Sequence, residues 1–189
     1  MFLLGHLGIG SWIAARRVRA QQLWWLLLGT LLPDLIDKPL YYAMSLATGR
    51  HGRELGLISG TRTFGHTLLL VAVLWIFLPR RAGTPLALGM ITHLALDELG
   101  DLLGIYFPAL RTHSSPGTLH AILFPFLGLQ FPVIPFRTAL EHFSSLKNAY
   151  VVSGEIVGAA LLAWQWRAGL FRRPPPAEST ASGVTPGSP

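Results

Sequence analysis

The chain has 189 residues, of which 51% are apolar and only 13% are charged, and it contains no cysteine. Soluble domains carry roughly 25% charged residues, so this composition predicts a membrane protein. The lack of cysteine excludes disulfides and thiolate metal sites, which leaves histidine and carboxylate groups to hold any metal. The net charge of +6 does not indicate a nucleic-acid partner, because the basic residues sit in short clusters beside apolar runs.

The apolar runs predict an all-α fold, a multi-span transmembrane helical bundle over residues 1–171. Residues 172–189 have the Pro/Ser/Gly/Thr composition of a disordered tail. In chain order, the predicted helices cover 1–15, 23–47, 63–79, 84–106 and 150–169.

The connecting segments are predicted from their polar residues and prolines. Residues 48–62 form a polar loop, and residues 80–83 form a tight turn before the fourth helix. Residues 119–136 are apolar but contain three prolines, which favours a re-entrant or interfacial segment over a full crossing. Residues 137–149 are amphipathic.

The basic clusters predict the orientation in the inner membrane. With residues 16–19, 80–81 and 172–173 on the cytoplasmic side, the N-terminus lies outside. The ionisable side chains of the apolar runs then fall in the outer half of the bilayer or near its middle. The lipid bilayer is therefore the expected partner.

Carboxylates inside the apolar runs are the most informative feature of the sequence. Five of the nine acidic residues share this placement: Asp34, Asp37, Asp97, Glu98 and Asp101. A carboxylate at the middle of a bilayer costs about 2.5–3.5 kcal/mol. Such side chains must therefore face a wet cavity, pair with cations or bind metal.

Helical spacing indicates that these groups share one site. His93, Asp97 and Asp101 repeat every four residues, so they lie on one helix face. Asp34 and Asp37 follow Pro33, which predicts a break in the second helix. Helices broken inside a membrane often line binding cavities.

Three further side chains lie near the ends of the predicted helices. His6 and His66 add imidazoles, and Arg62 could neutralise a carboxylate or hold an anionic group of a substrate. Each assignment has an alternative. Asp97 and Arg62 could form a structural ion pair, His6 could be an interfacial polar residue, and water or Lys38 could satisfy the predicted break after Pro33. Glu98, nearer the helix end, is expected to be solvated.

Four segments carry a resemblance to a known family. They are GTLLPDLIDKPL (29–40), GTRTFGHTLLL (60–70), THLALDELGD (92–101) and HAILFPFLG (120–128). In order and spacing they resemble the membrane-bound metal-dependent hydrolases, also described as LexA-binding, inner membrane-associated hydrolases. The family is distantly similar in its His/Asp pattern to zinc-dependent phospholipase C proteins.

The resemblance implies a metal-site set with Arg62 beside it. By matching position, the set is His6, Asp34, Asp37, His66, His93 and Asp97. Many members have His-Arg where this chain has Thr61-Arg62. Some members carry Asp-His after the first motif Asp, where this chain has the run Asp-Leu-Ile-Asp over residues 34–37. These departures leave the number of metal ions open.

The residues and the resemblance together predict a metal-dependent hydrolase acting on a lipid or other phosphoester. One or two zinc ions, with manganese as the second choice, would occupy the cluster. Asp34 or Asp101 would act as general base, and Arg62 would stabilise developing negative charge. The same cluster also fits a proton or divalent-cation transporter or a non-catalytic membrane scaffold.

Overall fold

The computed structural model describes residues 2–110, 118–133 and 138–171, and these residues form helices without any strand. This confirms the predicted all-α class. The predicted tail over 172–189 lies outside the described residues. The α-helices of the described part are α1 (Leu3–Ala14), α2 (Leu23–Thr48), α3 (Leu68–Phe77), α4 (Arg80–Tyr106), α5 (Thr118–Ile122), α6 (Ala139–Phe143) and α7 (Ala149–Arg167).

Helix α2 continues through both of its prolines, so the predicted break at Pro33 is wrong. A proline removes one backbone hydrogen bond and crowds the preceding turn, but packing can hold the two flanking parts in line. Here the first part of α2 packs on α4, and Asp37 in the second part accepts hydrogen bonds from residues 63–66. Tertiary contacts therefore outweigh the local preference of proline.

Helix α3 begins later than predicted, and α4 begins earlier. The side-chain oxygen of Thr67 accepts a hydrogen bond from the backbone N–H of Leu70 and caps α3. The residues before it turn aside as a short 3₁₀ helix, Phe64–His66. The tight turn predicted over 80–83 is instead the first turn of α4. His66 consequently lies at the end of this short 3₁₀ helix rather than inside a long α-helix.

Helices α2 and α4 approach each other closely at a pair of glycines, Gly29 and Gly89. A Cβ atom on Gly29 would overlap the carbonyl oxygen of Leu86, and one on Gly89 would overlap that of Leu26. Only glycine permits such close contact of two backbones. We call this contact the α2–α4 seam, and it brings Thr30 opposite His93.

Helices α1 and α7 meet in the same way at Gly8 and Gly158, which we call the α1–α7 seam. The Glu155 carboxylate of α7 lies at the N-terminal end of α1. It accepts hydrogen bonds from the backbone N–H groups of Phe2 (2.8 Å), Leu4 (3.0 Å) and Gly5 (3.0 Å). These N–H groups have no partner within the helix, so Glu155 both caps α1 and complements its dipole.

Apolar side chains lie both inside and outside the bundle. Val71 of α3 packs against Leu86, Met90 and Leu94 of α4 in the core. Other large apolar side chains face outward, including those of Trp24, Ile76, Phe77 and Trp166. Within residues 2–110, 118–133 and 138–171, we find no helix whose length and apolar character together suffice to cross a membrane. The multi-span arrangement stays a prediction.

Candidate metal centre

The six residues predicted as metal ligands come together in the structure from four separate elements. Helix α1 provides His6, α2 provides Asp34 and Asp37, the 3₁₀ helix Phe64–His66 provides His66, and α4 provides His93 and Asp97. All are buried except Asp34, which is partly exposed. Contacts of 2.7–3.9 Å join them into one cluster, which we call the His/Asp cluster.

His66 is fixed by Asp37. Its Nδ1 lies 2.7 Å from Oδ2 of Asp37. That carboxylate also accepts hydrogen bonds from the backbone N–H of Thr63 (2.6 Å), the hydroxyl of Thr63 (2.9 Å) and the N–H of Gly65 (2.8 Å). An ionised carboxylate only accepts hydrogen bonds, so Nδ1 of His66 carries the proton. In the neutral ring, the lone pair of Nε2 therefore faces the cluster.

His93 is fixed in the same tautomer by the backbone of α2. Its Nδ1 lies 2.8 Å from the carbonyl oxygen of Thr30. A carbonyl oxygen also only accepts, so Nδ1 of His93 is the donor. Its Nε2 then points at Nε2 of His66, 3.2 Å away. A proton or a metal ion between these atoms would satisfy both lone pairs.

Two carboxylate oxygens surround the facing nitrogen atoms. Asp97 Oδ2 lies 3.5 Å from Nε2 of His66 and 3.6 Å from Nε2 of His93. Asp34 Oδ1 lies 3.7 Å and 3.9 Å from the same atoms. A tetrahedral zinc ion with bonds of about 2.0–2.2 Å separates its ligand atoms by about 3.3–3.6 Å. The atoms of His66, His93 and Asp97 are 3.2–3.6 Å apart and match this spacing, whereas Asp34 Oδ1 lies slightly beyond it.

His6 extends the cluster on the side of α1. Its ring stacks on that of His93, with centroids 3.8 Å apart, and its Nε2 lies 3.4 Å from Oδ1 of Asp97. Two overlapping groups of ligand atoms are each compact enough for a metal ion, His6/Asp34/His93 and His66/His93/Asp97. Asp37 belongs to neither group, and its ligand role stays a prediction. Its contacts are those of a residue that orients His66.

Arg62 forms the ion pair with Asp97 that the sequence allowed as an alternative. Its two terminal nitrogens lie 3.2 Å from Asp97 Oδ2 and 3.2 Å from Asp101 Oδ2. Burial acts to lower the pKa of the Arg62 guanidinium, but Asp97 and Asp101 outweigh burial, and that pKa is raised above its ordinary value. Arg62 therefore stays charged and connects Asp101 to the cluster.

The cluster has an exposed side and a closed side. Exposed fractions of the side chains are 23% for Lys38, 17% for Asp34, 14% for Asp101 and 11% for Arg62, against 2% or less for the three histidines. Lys38 forms an ion pair with Asp34, which is the second alternative that the sequence allowed. These four charged side chains are the part of the cluster and its surroundings that solvent reaches most.

Two contributors to this geometry are not among the predicted site residues. Glu155 is an isolated carboxylate in the last apolar run, where a charge is as costly as in the runs of the other five. Thr30 acts through its backbone carbonyl. No side-chain pattern could have indicated that role.

The family model described as YdjM inner membrane protein matches residues 1–166. The search of the curated proteins found no match for this chain, and neither did the search of the solved structures. The matched range contains every residue of the His/Asp cluster, and the family's description supports the predicted place in the inner membrane. The chain belongs to the YdjM inner membrane protein family.

Proposed function

We propose that this protein is a metal-dependent hydrolase of the inner membrane, with a phosphoester as its substrate. One observation carries the proposal. The Nε2 atoms of His66 and His93 face each other at 3.2 Å, and both rings are held with Nδ1 as the donor. Orientation of a histidine through its second nitrogen is the usual arrangement at metal sites.

Four side chains would hold the cation: His66, His93, Asp97 and Asp34. Two nitrogen and two oxygen donors suit zinc, and manganese is the second choice. A bound divalent cation would supply Lewis-acid polarisation of a phosphoryl oxygen and lower the pKa of a water molecule. His6 would serve the cluster either as a further ligand or as the partner of Asp97 at 3.4 Å.

The charged side chains on the exposed side would handle the substrate. Lys38 and Arg62 would attract the anionic phosphoester. Asp101 is the better choice for the general base, because Asp34 belongs to a group of ligand atoms and Asp101 does not. Arg62 would keep Asp101 directed at the cluster through its 3.2 Å contact.

The test is metal content and phosphodiesterase turnover of the purified full-length protein. We expect wild-type protein to bind about one zinc ion per chain and to hydrolyse bis(p-nitrophenyl) phosphate, and His93→Ala and Asp97→Asn to lose both properties. Glu98→Gln is the matched control, since it removes a neighbouring carboxylate of α4 outside both ligand groups. Unchanged metal content in His93→Ala would refute the site.

A structural cation site is the second candidate, and the deep burial of His6, His66 and His93 favours it. Under this alternative, chelation lowers the melting temperature while the metal-loaded protein shows no turnover. A hydrolase instead shows turnover that is lost in Asp101→Asn with the metal content retained. The two measurements together therefore separate the two functions.

We also propose that the bundle is embedded in the bilayer with the cluster in its outer half. The outward apolar side chains, such as those of Trp24 and Phe77, support the embedding. The basic clusters at 16–19, 80–81 and 172–173 support the orientation. Because the chain has no cysteine, single cysteines at Arg50 and Arg81 would report their sides of the membrane. A membrane-impermeant maleimide should label the Arg50→Cys protein in intact spheroplasts and the Arg81→Cys protein only after lysis. The reverse pattern would overturn the orientation.

A further inference from the structure

A second cavity lies away from the His/Asp cluster. It is a cleft of about 560 Å³ between the loop that follows α2 and the segment 129–133, with α5 at its side. Ligand pockets typically have volumes of about 300–1,000 Å³. Among the described residues, none of the cluster lines this cleft. It is therefore a separate candidate for a binding site.

The charge of the cleft favours an anion. Arg53 and His120 line it, and no carboxylate does so within the described part of the chain. Gln130 adds an exposed amide. An arginine beside a second nitrogen donor is a common way to hold a phosphate group.

Most of the remaining lining residues are apolar, and the chain segment that leads into the cleft also exposes apolar side chains. Leu57 and Leu129 line the cleft and are 47% and 70% exposed. Phe126 and Leu127, just before Leu129, are 88% and 50% exposed. Exposed apolar surface of this kind marks contact with a membrane or another apolar partner, and the family's place is the inner membrane.

Phe131, which lines the cleft, packs against two further aromatic rings. The buried Phe131 ring stacks on that of Phe124 at 4.5 Å and contacts that of Phe64 edge-on at 5.0 Å. The hydroxyl of Ser59 donates a hydrogen bond to the Phe131 carbonyl oxygen. Phe64 belongs to the 3₁₀ helix that carries His66. The cleft is thus built on the segment that also positions the cluster.

We propose that this cleft binds one anionic phospholipid. The phosphate faces Arg53 and His120, and the acyl region lies along Leu57, Leu129 and Phe131. The ligand needs both an anionic group and an apolar body, and a phospholipid of the surrounding membrane provides both. This binding does not depend on a metal ion or on hydrolysis at the His/Asp cluster.

The experiment counts lipids bound to the full-length protein in a neutral detergent by native mass spectrometry. Dimyristoyl phosphatidylglycerol is the anionic probe, and dimyristoyl phosphatidylcholine has the same acyl chains without net charge. We expect wild-type protein to retain one phosphatidylglycerol at least tenfold more strongly than phosphatidylcholine. The double variant Arg53→Gln/His120→Gln should lose that preference at least tenfold.

Arg50→Gln is the matched control, because Arg50 is an exposed arginine three residues from Arg53 that does not line the cleft. Its lipid retention should stay within twofold of wild type. Equal retention of both lipids by wild-type protein would overturn the proposal. So would an equal loss in Arg50→Gln and in the double variant, since general surface charge would then explain binding.

Discussion

The α2–α4 seam and the α1–α7 seam use the same packing device for different purposes. In both, a pair of glycines lets the carbonyl oxygen of one helix approach the Cα atom of the other. Both helices of the α2–α4 seam carry cluster residues. In the α1–α7 seam only α1 does so, through His6, and α7 acts as its support.

The two seams also control different aspects of the cluster. Across the α2–α4 seam, the Thr30 carbonyl oxygen binds Nδ1 of His93 directly and so directs its Nε2. Across the α1–α7 seam, Glu155 holds the end of α1 and thereby sets the position of His6 along the helix axis. A substitution that separates the helices of the α2–α4 seam should therefore displace several ligands at once. One that separates the helices of the α1–α7 seam should displace only His6.

The strongest test of this difference compares Gly89→Ala with Gly158→Ala. Each added Cβ atom would overlap a carbonyl oxygen of the facing helix, so each pair of helices must separate. Overpacking of this kind costs about 1–3 kcal/mol. We expect Gly89→Ala to lose bound metal and Gly158→Ala to keep most of it at a similar loss of melting temperature. Equal loss of metal in both variants would show that the seams are not distinct.

The next largest effect on metal binding is expected for Asp37→Asn, a substitution in α2 of the α2–α4 seam. The asparagine amide cannot accept all four of the hydrogen bonds that the carboxylate receives from Thr63, Gly65 and His66. Leaving a buried donor unpaired costs about 1–3 kcal/mol. Loss of an orienting partner typically lowers metal affinity about 10–100-fold.

Zinc affinity of Asp37→Asn can be measured by competition with a chelator, with the melting temperature recorded in parallel. Thr67→Ala serves as a control, because it removes the cap of α3 next to His66 without touching Asp37. An affinity loss no larger than that of Thr67→Ala would argue against an orienting role for Asp37.

A smaller effect is expected for Glu155→Gln, which tests how α7 supports α1 in the α1–α7 seam. The neutral amide keeps one acceptor but loses the charge that complements the N-terminus of α1, worth about 0.3–1 kcal/mol. Amide hydrogen exchange should accelerate at Leu4 and Gly5. Metal affinity should fall less than in Asp37→Asn, since only His6 is affected. A larger fall would mean that α1 positions more of the cluster than His6.

The smallest effect is expected for Gln165→Leu. The buried Gln165 amide donates to the carbonyl oxygens of Gly8 and Leu161 at 3.2 Å. Its own Oε1 has no hydrogen-bond partner among the described residues. Replacing it with an apolar side chain of similar volume removes both the donor and that buried acceptor, so the net change should stay within about 1 kcal/mol. Chemical denaturation measures the free energy of unfolding. A decrease of more than about 3 kcal/mol in Gln165→Leu would contradict the prediction.

From the sequence one could predict the helical class and the carboxylates that meet in the cluster. The helical class follows from the apolar runs, and the carboxylates are singled out because a charge inside such a run is too costly to be incidental. The complete set with His6, His66 and His93 was implied by the family resemblance. The stripe of His93, Asp97 and Asp101 likewise follows from the helical repeat alone.

The role of each of these residues becomes visible only in the folded protein. Asp37 orients His66, Arg62 joins Asp97 to Asp101, and the Thr30 carbonyl directs His93. Packing also carried α2 through Pro33, against the local preference of proline. These outcomes depend on groups that are distant along the chain and partly on backbone atoms. Backbone atoms are the same in every residue, so a sequence pattern does not record the contacts they make.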